Sequence, residues 1–238
     1  MPLRVAFTDQ GALRERCDFA AVRTVSGDPA LEDGAVVPSG QWQPLSEAAA
    51  QGLAAPPWTP PSTLVEIVRP PAPTAGNLED LAQQMGDEQA QYLGQALAKP
   101  DMLTTTDNYQ DGRRIGLHLD NWDKLHYGEK ATGRRRLALN LGPGSRYILL
   151  GTLDAQAVCR AVHPEDYEYR YPSTDDYRAH VAAGQPIRCV RIRLAPGEGY
   201  IAPTEYLLHD GSTEDQDQPS VMAFWLGHWQ RGTLPSLI

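Results

Sequence analysis

The chain has 238 residues, 41% of them hydrophobic and 21% charged, which is the composition of an ordinary folded protein. Its formal net charge is −9, and the one short basic run, Arg134-Arg135-Arg136, is too small to indicate a nucleic-acid partner. No apolar run approaches the ~18 residues that a membrane span needs, and the N-terminus lacks the apolar core of a signal peptide. These features predict a cytoplasmic protein with no membrane partner.

Residues 1–75 are rich in proline. Because proline cannot donate to a β-ladder and breaks helix interiors, the composition excludes long regular elements there. Alternation and β-branched residues predict one short strand at 63–68. This strand, together with Trp42 and Trp58, favours a Pro-rich N-terminal extension that packs on the core. The alternative is a mobile arm.

Residues 77–99 carry a helical pattern. Asn77 can cap a helix, with Asp80 three residues on. Gly86 indicates a break between two shorter helices, and Pro100 ends the pattern. We therefore predict amphipathic helices over 77–99 that cover one face of a sheet. The apolar stripe consists of Leu78, Leu81, Met85, Tyr92, Leu93 and Leu97.

From residue 101 to 230 the pattern changes to β. Short apolar and β-branched runs are separated by turns such as Gly142-Pro143-Gly144-Ser145, with short helices expected near 154–162 and 174–183. Closely spaced strands with such turns indicate a barrel or a sandwich. The chain is therefore predicted to be a single domain, 1–238, mainly β with flanking helices.

A His-x-Asp motif at His118 and Asp120 is the strongest chemical signal. Side chains alternate along a strand, so the two residues share a face. A barrel can bring the distant His209 alongside them, since the tight turn at 195–199 aims the segment that carries it. Two imidazoles and one carboxylate are the set that holds one face of a ferrous ion and leaves the other open. We predict that His118, Asp120 and His209 bind Fe(II) and are catalytic.

The order of His-x-Asp, a Pro-Gly turn and a distant histidine resembles the Fe(II)/2-oxoglutarate-dependent oxygenases, over about residues 113–226. The resemblance implies a double-stranded β-helix, a cupin-like or jelly-roll barrel, with its core at 101–230. It implies Fe(II) and 2-oxoglutarate as cofactors, dioxygen as co-substrate, and hydroxylation or another oxidation of a substrate C–H bond. The acidic surface and the loop acids Asp107 and Asp123 favour a small cationic or amino-acid-like substrate, and a natural product is the other class we expect.

One departure from the family concerns the cation that binds 2-oxoglutarate. The family often has a basic residue shortly after the distal histidine, where this chain has Pro219-Ser220-Val221. Alternation places the leucines at 137, 139 and 141 on the outer face of a strand, so its arginines can face inward and offer a carboxylate a bidentate fork. The alternative is a solvated rim of arginines. The predicted cofactor-binding residues are Arg136, as the first choice, with Arg134 and Asn140 on the same face, and Arg114, which shares parity with His118.

Loops on both sides of the motif are candidates for holding substrate, as loops at a barrel mouth often do. Each of these side chains is equally well explained as structural. The predicted substrate-binding residues are Trp122, Asp123 and Tyr127 after the motif, and Asp107, Asn108 and Tyr109 before it.

Two other functions stay open. A cupin-like metalloenzyme that does not use 2-oxoglutarate, such as an isomerase or a cofactor-independent oxygenase, is favoured by the missing basic residue after His209. A non-catalytic β-barrel binding module would leave His118 and His209 as ordinary polar residues. Metal content distinguishes the module from the enzymes, and decarboxylation of 2-oxoglutarate distinguishes the two enzymes. The sequence leaves the oligomeric state open.

Overall fold

Two six-stranded β-sheets form the body of the protein, which a computed structural model describes at residues 3–70, 78–81, 85 and 87–238. The strands are β1 (Val5–Ala6), β2 (Cys17–Thr24), β3 (Leu31–Pro44), β4 (Val65–Val68), β5 (Gln91–Ala98), β6 (Arg114–Gly116), β7 (Arg135–Pro143), β8 (Arg146–Asp154), β9 (Arg188–Leu194), β10 (Gly199–Ala202), β11 (Leu207–Ser212) and β12 (Ser220–Gly227). The described helices are α1 (Gln10–Arg16), α2 (Glu47–Leu53), α3 (Ala155–Val162) and α4 (Thr174–Ala182), with 3₁₀ turns at Pro61–Thr63, Tyr127–Thr132 and Tyr167–Tyr169.

The order of the strands defines a jelly roll. One sheet runs β1-β4-β10-β7-β12-β5 and the other β11-β8-β9-β2-β3-β6. From β7 onward the chain passes between the sheets, with β7, β10 and β12 in the first and β8, β9 and β11 in the second. Their pairings are antiparallel. This arrangement is the mainly β, double-stranded β-helix barrel that the sequence predicted, so the fold prediction is confirmed.

Alternation along the strands divides the apolar side chains between an inner core and an outer one. On β7, Ala138 joins the inner core with residues of β8, β9 and β12. Its neighbours Leu137 and Leu139 face outward and pack against Leu81 and Trp225. Side chains of opposite parity leave a strand on opposite faces, so β7 also directs Arg136 inward and Arg135 outward.

Helices α3 and α4 cover the outer face of the second sheet. Val158 of α3 and Tyr177 of α4 pack on Leu149 and Leu208. Asp154 caps α3 by accepting a hydrogen bond from the Ala157 amide at 2.8 Å, which satisfies one of the free N–H groups of the first turn. None of the helices in the described part of the chain is long and apolar enough to cross a membrane.

The N-terminal region supplies strands to both sheets. The prediction that proline excludes long elements here is wrong, since β3 runs for 14 residues and contains Pro38. β3 pairs with β2 over most of its length, and on its other side it is bridged to β6 at Leu31 and to Leu117 at Val36. Beyond Val36 that side accommodates a residue without an N–H. Gly34 and Gly40, both at φ +80°, let the long strand bend.

The predicted covering helices at 77–99 need a correction in their second half. Gln91–Ala98 is β5, an edge strand that pairs with β12. Glutamine, leucine and alanine favour helix, but the ladder with β12 outweighs that local preference. Asn77, Gly86 and residues 82–84 lie outside the described residues. Leu81 and Met85 are described, and both pack on the outer face of the first sheet.

A buried ion pair joins the N-terminal region to the barrel. Arg135 of β7, 2% exposed, donates to Glu66 Oε2 of β4 at 2.6 Å and to the Leu64 carbonyl at 2.9 Å. Burial lowers the pKa of Arg135, while the carboxylate of Glu66 opposes that shift. Removing one partner would leave the other charge buried without compensation.

We expect Arg135→Met to lower the free energy of unfolding by ~3–5 kcal/mol, because Glu66 would stay buried and unpaired. Urea denaturation measures this loss. The control is Arg113→Met, which breaks an exposed ion pair with Asp111 and should cost far less. Equal losses in the two variants would contradict the importance of the buried pair.

Candidate metal site

A short antiparallel bridge places the two histidines side by side. The His118 amide donates to the His209 carbonyl at 2.9 Å, and the His209 amide donates back to the His118 carbonyl at 2.9 Å. Residues paired in this way present their side chains to the same face of a sheet. The ring centroids are 4.5 Å apart.

Asp120 completes the group from two residues further on. Its amide donates to the Thr204 carbonyl at 3.0 Å, which fixes the loop after the bridge. One carboxylate oxygen lies 3.9 Å from His118 Nε2 and the other 3.7 Å from His209 Nε2. One ligand atom from each of the three residues lies within 4.8 Å of the others, and all three side chains are buried.

Backbone carbonyls orient both rings. His118 Nδ1 bonds the Gly116 carbonyl at 2.9 Å, and His209 Nδ1 bonds the Leu207 carbonyl at 3.2 Å. A proton held on Nδ1 leaves the lone pair on Nε2, the atom that faces Asp120, as in metal-binding histidines. Gly116 is required for this arrangement, because its φ is +71° and a Cβ there would lie 2.5 Å from the Val36 carbonyl oxygen.

Arg136 supplies positive charge next to the group. Its Nη2 lies 2.5 Å from Asp120 Oδ2, and its Nη1 lies 3.4 Å from His209 Nε2. Burial acts to raise the pKa of Asp120, but Arg136 and the two imidazoles outweigh it and hold that pKa well below its usual range. Burial lowers the pKa of His209 to about 3, against the pull of Asp120. At neutral pH the site therefore offers an ionised carboxylate and a neutral His209 imidazole.

The residues present fit a divalent metal ion. Asp120 Oδ2 is buried and accepts no hydrogen bond of good geometry. The Arg136 guanidinium beside it neutralises its charge without donating such a bond. Nitrogen from two imidazoles and one carboxylate oxygen is a donor set that Fe(II) and similar ions accept. Within the described part of the chain, this is the one cluster of three His, Cys, Asp or Glu side chains with ligand spacing.

A cavity of about 380 Å³ opens beside the group and reaches His209 and Arg136. Tyr200 of β10 and Arg146 of β8 line it as well, and both side chains are buried. Burial raises the pKa of Tyr200, although both arginines act to lower it, so the phenol stays protonated at neutral pH. The cavity thus combines a cationic floor with a neutral proton donor.

Arg146 differs from Arg135 and Arg136 because no carboxylate forms an ion pair with it among the described residues. It is 5% exposed, and Nη2 donates to the Thr105 hydroxyl at 3.1 Å. Burial lowers its pKa, opposed by the charge of Asp210 nearby. Gly211 leaves room for the guanidinium, since a methyl group there would collide with it. Arg146 is therefore a desolvated cation that faces the cavity with spare donors.

The four predicted cofactor-binding residues lie in different places. Arg136 lines the cavity, as strand parity predicted, but its charge is paired with Asp120. Arg134 is paired with Asp123. The Asn140 amide donates to the Gly144 and Leu194 carbonyls and so belongs to the turn after β7. Arg114 lies on β6, outside the residues that line the cavity, and its side chain bonds the Ala30 carbonyl.

The six predicted substrate-binding residues of the loops also lie in different places. Trp122, 48% exposed, and Asp107 line the cavity. Asp123 is held by Arg134, and Asn108 donates to Glu32 at 2.6 Å, so both have structural partners. Tyr127 packs edge-on against Tyr167, with ring centroids 4.8 Å apart, and Tyr109 is 94% exposed. Only the first two are in a position to touch a molecule in the cavity.

Arg146 and Tyr200 were missed by the sequence analysis. Arg146 lies on β8 and Tyr200 on β10, and a signal was available at Arg146. In Arg146-Tyr147-Ile148-Leu149-Leu150 the arginine shares parity with Ile148 and Leu150, which face the inner core. A charged residue in phase with core residues at the end of a strand indicates a buried functional cation.

Comparison with known proteins assigns neither a family nor a function to the chain. No family model matches the chain, and no curated protein matches it. Among solved structures, it is similar to a dTDP-4-dehydrorhamnose 3,5-epimerase from Elizabethkingia anophelis, at 9% identity and a TM-score of 0.27. That match covers 67% of this chain and 63% of the epimerase, less than two thirds of its length. At this TM-score the likeness assigns no substrate to the chain.

The prediction of an Fe(II)/2-oxoglutarate dioxygenase is corrected. The similar solved structure named above is that of an epimerase, which is an isomerase rather than a dioxygenase. The site gives a physical reason of its own: the predicted 2-oxoglutarate cations Arg136 and Arg134 are ion-paired to Asp120 and Asp123. What stands is the coarser statement of a cupin-like barrel with a cluster of potential metal ligands.

Arg136→Met tests the charge balance at Asp120. Loss of the guanidinium leaves a buried carboxylate unpaired and should cost ~3–5 kcal/mol in unfolding free energy without metal. Zn(II), which would return positive charge to Asp120, should stabilise this variant more than it stabilises the wild type. Urea denaturation with and without Zn(II) measures both effects.

The control is Arg134→Met, which breaks a more exposed ion pair away from the ligand atoms. It should lose less stability, and Zn(II) should stabilise it as much as the wild type. If Zn(II) stabilises Arg136→Met no more than the wild type, Arg136 does not share Asp120 with a metal.

Proposed function

We propose that this protein is a cupin-like metalloenzyme that does not use 2-oxoglutarate and that acts on a small organic acid. In this proposal, His118, Asp120 and His209 hold a divalent metal, and Arg146 binds the carboxylate of the substrate. The observation that carries the proposal is the buried Arg146, which has no carboxylate partner among the described residues and lies in the same cavity as His209.

The metal part rests on ligand geometry. The two Nε2 atoms face one carboxylate, and both rings are held by bonds from Nδ1 to backbone carbonyls. Two imidazoles and one carboxylate with open positions are the ligand set of non-haem Fe(II) sites. When bound, such an ion supplies Lewis acidity that polarises a substrate oxygen. The protein's part is to hold the ligands and shield them, since each is less than 9% exposed.

The substrate part rests on charge. A guanidinium buried without a carboxylate partner is costly, and an anionic ligand that accepts its free N–H groups offsets that cost. The planar fork of arginine matches a carboxylate in a bidentate arrangement. Asp210, also on the cavity wall, accepts from the Thr106 hydroxyl at 2.7 Å, so its carboxylate is held by its own donor. Arg146 is thus available to the substrate.

Tyr200 supplies the proton in this proposal. Its phenol is buried in the cavity wall, and its raised pKa keeps the proton on the oxygen at neutral pH. Arg136 and Arg146 both act on that phenol, so a proton given to the substrate leaves a phenolate that two guanidinium groups stabilise. This combination favours Lewis-acid-assisted proton transfer to the substrate, and the phenolate regains its proton when the substrate gives one up elsewhere, which is the proton balance of an isomerase.

Metal content tests the first part. Anaerobic loading with Fe(II) should give one equivalent per chain in the wild type, and His209→Ala should lose stoichiometric binding because one of three ligands is gone. Metal analysis after gel filtration measures this. His228→Ala, at an exposed histidine, is the matched control and should keep the full equivalent. Wild-type protein that stays metal-free after loading would contradict the proposal.

Binding of propanoate to the Zn(II)-loaded protein tests the second part. Arg146→Met should weaken it ~10- to 150-fold, from the ~1.5–3 kcal/mol of hydrogen bonds to charged groups. Chemical-shift titration measures the dissociation constant, with zinc content checked in parallel. Arg114→Met, which changes an arginine outside the cavity lining, is the control and should bind propanoate normally. Equal affinity in the Arg146 variant and the wild type would show that the acid does not bind at Arg146.

A further inference from the structure

The outer part of the cavity is apolar and open. Leu97, on the edge strand β5, is 68% exposed, and Trp122, in the loop after Asp120, is 48% exposed. Leu93 and Phe224 line the same cavity. Single exposed apolar residues are normal, but several large ones around the mouth of a polar-floored cavity indicate a binding surface. We call these four residues the apolar rim.

We infer that the apolar rim binds a hydrocarbon arm of the substrate, so that the substrate is an amphipathic acid rather than a short polar one. This inference rests on the proposed function, because it takes the carboxylate end to lie at Arg146. The acid end would lie deep, where Arg146 is 5% exposed, and the arm would run outward to the more exposed side chains of Leu97 and Trp122.

The positions of the rim residues support one continuous site. β5 pairs with β12, so Leu97 lies opposite Val221, one residue before Met222, which also lines the cavity. Trp122 comes two residues after the metal-ligand candidate Asp120, so the loop that places the carboxylate also places this ring. The Trp122 wall therefore belongs to the loop that places Asp120, and the Leu97 wall to a strand paired with the cavity-lining strand β12.

Size and the free edge of β5 also favour an arm. The cavity of about 380 Å³ is larger than a two- or three-carbon acid requires. In the first sheet, β5 is the terminal strand and has β12 as its one partner, so no described strand covers Leu97 from the far side. An apolar arm lying there would remove the exposed parts of Leu97 and Trp122 from water.

A series of straight-chain monocarboxylates, from acetate to octanoate, tests the inference on Zn(II)-loaded full-length protein. If the rim binds the arm, the dissociation constant should fall about three- to fourfold for each added methylene from butanoate onward, the factor expected for burial of a methylene. Leu97→Ser and Trp122→Ser should flatten this dependence while acetate binds as in the wild type. Both residues are exposed, at 68% for Leu97 and 48% for Trp122, so neither change should affect folding.

Trp58→Ser is the matched control, since Trp58 is 81% exposed and lies outside the cavity lining. It should leave the chain-length dependence unchanged. A flat dependence in the wild type would overturn the apolar arm, as would an unchanged slope in both rim variants or the absence of binding by every acid.

The same series on Arg146→Met separates this inference from the proposed function. If affinity for all the acids drops by a common factor and its dependence on chain length is unchanged, both the apolar arm and the carboxylate site at Arg146 are supported. If the wild type binds acids through Arg146 but its affinity does not depend on chain length, only the inference of an apolar arm is wrong. If the slope survives and the Arg146 variant loses nothing, the rim binds hydrocarbon and the proposed carboxylate site is wrong.

Discussion

The pairing of His118 with His209 is the interaction on which the candidate site depends. Two backbone hydrogen bonds of 2.9 Å fix two residues that are far apart in the chain on one face of the second sheet. That pairing is possible because the jelly roll returns the chain to the edge of the sheet formed by β11. Asp120 then needs only one further bond, to the Thr204 carbonyl, to bring its carboxylate between the two imidazoles.

Charge explains the rest of the arrangement. Both arginines of β7 have a carboxylate, Glu66 for Arg135 and Asp120 for Arg136. The buried Arg146 of β8 has none among the described residues and faces the cavity instead. Buried cations without partners are costly, so their positions in a folded protein commonly mark where an anionic ligand binds. This contrast distinguishes structural arginines from the one we propose to bind substrate.

Much of the fold could be predicted from alternation and turns. The β character after residue 100, the outward leucines of β7 and the inward Arg136 all follow from a period of two. Residues 91–98 could not be assigned in this way, because their composition favours helix and only the ladder with β12 makes them a strand. The 14-residue β3 escaped prediction because proline is tolerated where a strand has a partner on one side only.

Only part of the candidate site, likewise, could be predicted from the sequence. His118 and Asp120 are close in sequence, and their spacing alone predicted a shared face. The role of Arg136 could not be predicted, since sequence gives its parity but not its partner; only the folded chain shows it bound to Asp120. Arg146 could have been found from its parity with Ile148 and Leu150. Tyr200 could not, because nothing local distinguishes a tyrosine in a cavity wall from one in the core.

The central claim is that a metal at the two histidines and an acid at Arg146 occupy one cavity. Paramagnetic relaxation tests it most directly: propanoate protons are followed by NMR in the presence of protein loaded with Mn(II), with Zn(II)-loaded protein as the diamagnetic reference. The account predicts strong broadening of the propanoate signals with Mn(II), reduced when a longer acid competes for the site. Equal line widths with Mn(II) and Zn(II) at saturating propanoate would show that the acid binds elsewhere and would contradict the account.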